Sequence, residues 1–249
     1  MDVLHRSLEA GKECDPKAFT KEFDKATLSI ADRTLFELRA RSFSPYALAK
    51  GVLEAVDAPG GEVSVLDVGC GIGAKIPLYL KMLNVFGVSS VDYHGVDLSG
   101  RSIELAQERV SHRQEKDQKF RFTQSDFLQF NTDGEQYDYV FLTAVWHHIP
   151  EELEEEAVRK IQSLLKPGGV AMIFNGFYPE QPMVKTMSLL FQRAYRFIET
   201  RGALKYKMIT VAGTKDAIES SSSLRVRSCF HSNAPGSWLN TQMMVITHP

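Results

Sequence analysis

Cysteine is scarce in this chain. Three occur in 249 residues, at Cys14, Cys70 and Cys229, far apart and with no C-x-x-C pair, which leaves neither a disulfide framework nor a thiolate zinc site to expect. No metal ligand set stands out elsewhere. Long apolar runs are missing as well, since nothing approaches the ~18 uninterrupted apolar residues of a membrane-spanning helix. The opening MDVLHRSLEAGKECDPK has no positive stretch leading into an apolar one, so the cytoplasm is the expected compartment, with no membrane partner. A surplus of one charge is absent too: 29 basic against 31 acidic side chains give a net −2, no general attraction for a polyanion. No internal repeat is visible.

What is present suits one large globular domain, with hydrophobic residues at 43% and charged residues at 24%. Charge is unevenly spread. Residues 1–182 hold 20 basic and 28 acidic side chains, whereas residues 183–249 hold 9 basic and 3 acidic. This reads either as a solvated helix face or as a cover that attracts an anionic acceptor.

Residues 1–57 read as a helical N-terminal cap, the last helix starting at Ser44-Pro45, a good N-cap before a tolerated N1 proline. From residue 62 short apolar runs alternate with amphipathic segments. Strands are expected at 62–68, 91–96, 120–123, 137–142 and 170–174, with helices at 74–83, 99–110 and 151–165. This alternation predicts right-handed βαβ crossovers onto a mostly parallel sheet. Pro167-Gly168-Gly169 reads as a turn that ends a helix and aims the fifth strand. A long amphipathic helix over 182–201 interrupts the pattern within a lid at about 177–212, and a helical turn or two is expected at 214–220. Strands at 224–230 and 243–247 then close the chain as an antiparallel pair around Asn233-Ala234-Pro235-Gly236.

The strongest local signal is VLDVGCGIGA at 65–74, an apolar strand with an acid at Asp67 followed by Gly69, Gly71 and Gly73. Glycine is needed where a strand turns sharply into a helix and a ligand lies against bare backbone. The same residues fit the dinucleotide fingerprint G-x-G-x-x-G/A. Three features weigh against that reading: the acid sits just before the loop, 249 residues leave little space for a second nucleotide half and a catalytic domain, and the chain ends in an antiparallel hairpin.

Together with GVDLSG (95–100), SDF (125–127), YDYVFLTAVWHHI (137–149) and LLKPGGVAMI (164–173), the loop resembles the class I S-adenosylmethionine-dependent methyltransferases that act on small molecules. The resemblance covers about residues 62–176 in order and spacing, plus the terminal hairpin. It implies a Rossmann-like doubly wound α/β fold, a seven-stranded sheet with six parallel strands and one antiparallel strand near Met243–Thr247. The methyltransferase domain would run over 58–249. It also implies S-adenosyl-L-methionine as cofactor, leaving as S-adenosyl-L-homocysteine.

Carried over residue by residue, Gly69, Gly71 and Gly73 lie against the methionine part of the cofactor, and Asp67 lies near its amino group. Asp97, closing the second strand, accepts from both ribose hydroxyls, since a carboxylate offers two adjacent acceptors. Leu98 packs beside the adenine. In the Ser125-Asp126-Phe127 run, Asp126 accepts from the exocyclic amine and Phe127 covers the ring, unless Asp126 is only a loop acid. Thr143 and Ala144, ending the fourth strand, face the methionine amine and the transferable methyl. Cys70 reads as a small filler in the cofactor loop.

His147 and His148 follow the fourth strand at the carboxyl edge, where open α/β sheets bind ligands. Either serves as a base for an alcohol or phenol acceptor, or both only order the loop against the cofactor. Arg41, Tyr46, Trp146, Phe177, Tyr178, Arg193 and Arg196 are the candidates for acceptor binding. Trp146 reads more readily as packing against the cofactor pocket than as an acceptor contact, and the lid residues equally as an ordinary amphipathic helix. An aromatic and basic lid fits a small aromatic or anionic acceptor. The N-terminal helices suit a lid or a homodimer interface.

The leading expectation is methyl transfer to a small-molecule O-, N- or C-nucleophile. An RNA or protein methyltransferase is the alternative, set against the lack of an appended nucleic-acid module and of an Asn-Pro-Pro-Tyr type motif, TAVW standing in its place. A third reading is a protein that binds or modifies the sulfonium itself, in the manner of carboxy-S-adenosylmethionine synthases.

Overall fold

The computed structural model describes residues 45–111, 117–177, 209–231 and 240–249. The described residues form, in chain order, α1 (Pro45–Ala55), β1 (Gly61–Val68), α2 (Ile76–Val85), β2 (Val88–Asp97), α3 (Gly100–Val110) and β3 (Gln118–Gln124). They continue with β4 (Tyr137–Thr143), two short 3₁₀ turns (Trp146–His148 and Glu151–Leu153), α4 (Glu154–Leu164) and β5 (Leu165–Phe177). The last three are α5 (Val211–Ser221), β6 (Arg225–His231) and β7 (Asn240–Thr247).

The strands form one seven-stranded sheet in the order β3-β2-β1-β4-β5-β7-β6. β1 to β5 pair in parallel, and β7 runs antiparallel to both β5 and β6. Six strands therefore point one way and β7 the other, as expected. Strand order reverses between β2 and β4, on either side of β1, and this opens a crevice at the carboxyl ends where α/β sheets take ligands.

Side-chain alternation explains the two cores. Leu66, Val68, Val140, Leu142, Ala171 and Ile173 face one side of the sheet, against Ala157, Val158 and Ile161 of α4. Val63, Val65, Tyr139, Phe141, Val170 and Met172 face the other, against Ile76, Tyr79 and Leu83 of α2 and Leu48, Ala49 and Val52 of α1. Parallel strands covered on both faces are apolar throughout, which is why β4 reads YDYVFLT with no polar alternation. α1, the last helix of the expected 1–57 cap, thus packs into the same core as the sheet.

Among the boundaries that differ from expectation, two involve a loop or turn motif. The helix expected at 74–83 begins at Ile76, with Lys75 at the N-cap position and Pro77 inside the first turn, so the glycine loop is longer than its motif. Pro167-Gly168-Gly169 is not a turn ahead of the fifth strand. It lies within β5, where the register against β4 shifts between Tyr137 and Tyr139. Gly168 takes φ +77° there, a left-handed conformation that glycine adopts at no steric cost.

Candidate active site

Backbone register brings the motifs together. Asp67 stands beside Gly95 of β2 and Phe141 of β4, and Val68 beside Val96 and Leu142. The chain leaves β1 and folds back over β2, with the amides of Gly69 and Cys70 both donating to the Val96 carbonyl, at 2.7 and 3.1 Å. Gly69, Gly71 and Gly73 all have positive φ, at 65°, 53° and 69°.

The three glycines do different things. A Cβ on Gly69 would lie 2.4 Å from Val145 Cγ2, and one on Gly73 would lie 3.0 Å from Ile76 Cδ1. A Cβ on Gly71 would meet nothing within 4 Å. Gly69 and Gly73 are small so that the loop can pack against its own protein, while Gly71 faces open space among the described residues, a cradle at the carboxyl edge of the sheet.

Asp97 closes β2 at the edge of that cradle and is buried. Its Oδ2 accepts from the Gly71 amide at 2.8 Å and its Oδ1 from the Ser99 amide at 2.9 Å. Each carboxylate oxygen keeps acceptor capacity for a further donor. The backbone carbonyl of the same residue accepts from the Ser125 amide at 3.0 Å, which ties the third expected motif to the second. Ser99 then caps α3, its hydroxyl accepting from the Ser102 amide at 3.0 Å.

Asp67 is 2% exposed. Burial pushes its carboxyl up to about 7, against the pull of the Tyr93 hydroxyl, which donates to Oδ2 at 2.5 Å, and of the Lys75 charge. A carboxylate poised there welcomes a cationic group and resists standing alone. Burial also pushes the Cys70 thiol up, so it is a buried filler with little thiolate character.

The remaining expected contacts have mixed placements. Leu98 and Asp126 are half-buried. Asp126 Oδ1 accepts from the Leu128 amide at 2.8 Å, a local turn bond that leaves its other oxygen with acceptor capacity. Phe127 lies in the core cluster, 9% exposed. Thr143 is buried, its hydroxyl hydrogen-bonded to that of Tyr79. Ala144 has φ +60°, a left-handed backbone that a non-glycine residue adopts at some cost in strain and that recurs at functional sites. It is nonetheless exposed.

His147 and His148 occupy the 3₁₀ turn after β4, ring centres 4.1 Å apart. His147 Nδ1 is 2.9 Å from Asn175 Oδ1, on the buried side chain near the end of β5. With the amide oxygen as acceptor, the ring donates from Nδ1 and its basic lone pair lies on Nε2. Trp146, between these elements, has no exposed surface and sits in the core cluster. Its ring therefore packs and offers no face to an acceptor, a correction to its place among the acceptor-binding candidates.

Tyr46 is 67% exposed on α1. Arg41, Tyr178, Arg193 and Arg196, residues 1–44 of the cap, most of the lid, and the side chain of Phe177 lie outside the described residues. Sequence reasoning passed over Lys75, Tyr79, Tyr93 and Asn175. Two had readable signals: Lys75 directly follows the glycine loop, and Asn175 is a polar residue closing the apolar run VAMIF.

Residues 65–169 match the protein family described as "Methyltransferase domain". Over 135 residues the chain is 33% identical to phosphoethanolamine N-methyltransferase 2 of Caenorhabditis elegans, spanning 53% of this chain and 28% of that relative. The chain thus spans little more than a quarter of that protein's length. Among solved structures, magnesium protoporphyrin IX methyltransferase of Synechocystis with bound S-adenosylhomocysteine superposes with a TM-score of 0.60 at 14% identity, over 92% of this chain and 93% of that one. Mitomycin 7-O-methyltransferase superposes with a TM-score of 0.63 at 16% identity, over 99% of this chain and 66% of that one.

Proposed function

We propose, from the methyltransferase domain that this chain carries over residues 65–169, that it moves a methyl group from S-adenosylmethionine to a small-molecule acceptor. The observation that carries the reading is the contact between the glycine loop and the acid closing β2. The Gly71 amide donates to Asp97 Oδ2 at 2.8 Å beside the open space above Gly71. That pairing provides a bare backbone surface and a fixed carboxylate side by side, which fits an adenosyl group whose sugar has two adjacent hydroxyls.

When bound, S-adenosylmethionine supplies a methyl on a sulfonium, lost by in-line displacement as the charge on sulfur disappears. The protein's contribution is position and exclusion of water. Asp97 fixes the ribose, Asp67 meets the amino group from beneath the loop, and Leu98, Asp126 and Phe127 surround the adenine. Thr143 and Ala144 border the methyl. His147, oriented by Asn175, takes the proton of an alcohol or phenol acceptor at Nε2, whereas an amine or ionised acceptor leaves it only the task of ordering the turn. Relatives named for phosphoethanolamine and mitomycin place small molecules among the acceptors of similar proteins.

The test is calorimetric titration of S-adenosylmethionine into the wild type and Asp97→Asn. Hydrogen bonds to a charged group contribute about 1.5–3 kcal/mol each, so weakening the grip on two hydroxyls predicts a loss of roughly a hundredfold. Equal affinity of both proteins, with the variant folded, would remove Asp97 from the cofactor site and the reading with it.

A further inference from the structure

Between β3 and β4 the chain crosses residues 125–136 without helix or strand, and this loop carries Asp126 and Phe127, the residues set against the adenine. Its internal hydrogen bonds are short-range. Asp126 Oδ1 accepts from the Leu128 amide, the Phe127 carbonyl from the Phe130 amide, and the Thr132 carbonyl from the Glu135 amide. Such bonds shape turns, but they do not set where the loop stands against the sheet. The Ser125 amide fixes its entry, by donating to the Asp97 carbonyl.

His94 of β2 is 8% exposed, and its ring reaches both ends of the loop. Nε2 is 2.8 Å from Thr123 Oγ1, two residues before the loop, and Nδ1 is 3.0 Å from the hydroxyl of Tyr137, the first residue after it. The Phe130 ring, from the middle of the loop, stands edge-on to the imidazole with centres 5.2 Å apart. Tyr137 fixes the tautomer. Its hydroxyl donates to Glu135 Oε2 at 3.2 Å, and a carboxylate only accepts, so the Tyr137 oxygen accepts from Nδ1–H and Nε2 accepts from the Thr123 hydroxyl. Burial, and after it the Arg121 charge, push the imidazole below its ordinary value, which keeps the ring neutral as this pattern requires. Arg121 and Glu135 join the same two ends from outside at 2.6 Å, but those side chains are 42% and 37% exposed, and such surface pairs contribute little. The buried imidazole is the firmer bridge.

We propose that His94 is a positioning residue for the nucleobase: by tying the end of β3 to the start of β4 it sets the loop so that Asp126 meets the exocyclic amine of adenine and Phe127 its ring. This rests on the methyltransferase reading and adds the element that makes the site selective for an amino-bearing base. His94 acts through the loop. An apolar residue of similar size fills the same space but leaves the Thr123 and Tyr137 hydroxyls unjoined.

The experiment is calorimetric titration of the full chain with S-adenosylhomocysteine and with S-inosylhomocysteine, whose base carries an oxygen in place of the amine. Wild type is expected to bind the adenine compound at least about tenfold tighter, because a carboxylate rejects an oxygen placed where a donor belongs. His94→Leu brings that ratio to about twofold or less, by weakening S-adenosylhomocysteine and sparing the inosyl compound. Thr123→Val, which removes one arm of the bridge and keeps the imidazole, lowers the ratio about threefold. A role in packing alone weakens both compounds equally and leaves the ratio intact. A ratio unchanged in either variant, with folding checked by circular dichroism, overturns the proposal, and Thr123→Val decides by itself if His94→Leu does not fold. A wild type that binds both compounds alike also overturns it, whereas one that binds neither overturns the methyltransferase reading beneath it.

Discussion

Asp67 offers the sharpest perturbation, because its environment in the free protein opposes its charge. Its carboxyl titrates at about 7 in the folded chain, against roughly 3.9 in an unfolded one. Folded protein therefore binds this proton more tightly than unfolded protein does. The associated stability is fully present below about pH 4 and is lost as pH rises through about 7. At 1.36 kcal/mol per unit, a rise of about three units amounts to roughly 4 kcal/mol that the free protein gives up across that window. Asp67→Asn keeps the acceptor for the Tyr93 hydroxyl and removes the titration. Urea denaturation of both proteins at pH 5 and pH 8 isolates the effect, since every other carboxylate is common to the pair. The variant's stability relative to wild type is expected to improve by about 2–3 kcal/mol between pH 5 and pH 8, the remainder of the window lying below pH 5. The cofactor's ammonium reverses the balance by pairing with the carboxylate, so wild-type affinity for S-adenosylmethionine should fall by up to tenfold per unit as pH drops below 7, with little pH dependence in the variant. A stability difference identical at both pH values would refute the argument that burial holds this group's proton.

Three further outcomes follow from the geometry. Gly69→Ala drives a Cβ to 2.4 Å from Val145 Cγ2 and should lower the melting temperature, whereas Gly71→Ala, with open space at that position, should cost about 1 kcal/mol of stability yet abolish most cofactor affinity; equal effects of both on both readouts would contradict the division of labour. His147→Gln should reduce kcat on a phenolic acceptor by about 10²–10⁴-fold and flatten its pH profile while leaving cofactor binding within a few fold, and an unchanged profile would leave the residue only its ordering role. At the opposite end of the sheet, Asp138 accepts from the Ser64 amide and hydroxyl and from Lys166 Nζ, at 2.7, 2.8 and 2.7 Å. Burial works against that carboxylate, but those donors win and hold it below its usual range. Its stabilisation is present above the unfolded pKa and is lost as pH falls, so Asp138→Ala should cost about 1–3 kcal/mol at pH 7, with S-adenosylhomocysteine affinity unmoved.

Much of the site was legible because the residues that build it come as strand-loop-helix units. Asp67, Asp97 and Thr143, three of the proposed ligand contacts, sit at or near the carboxyl ends of β1, β2 and β4, so the apolar run before each announces where it will lie. Trp146 misled for a related reason. A tryptophan next to two histidines at that edge looks like a ligand contact, but the turn carrying it rotates the ring into the core between α4 and the sheet. Tyr79 and the pairing of Asn175 were passed over because their partners are distant in sequence: Tyr79 meets Thr143 across 64 residues and His147 meets Asn175 across 28.

The sequence alone determined the alternation of strand and helix, the parallel sheet with its antiparallel close, and the glycine loop with the acid 24 residues beyond Gly73. Those depend on local periodicity and on backbone freedom, which neighbouring residues fix by themselves. Only tertiary structure decided which glycine faces open space, that the Asp67 carboxyl is driven up by burial, and that Asn175 of β5 meets the ring of His147. Each of these depends on what lies across the sheet or on the next helix, and no spacing along a single chain encodes that distance.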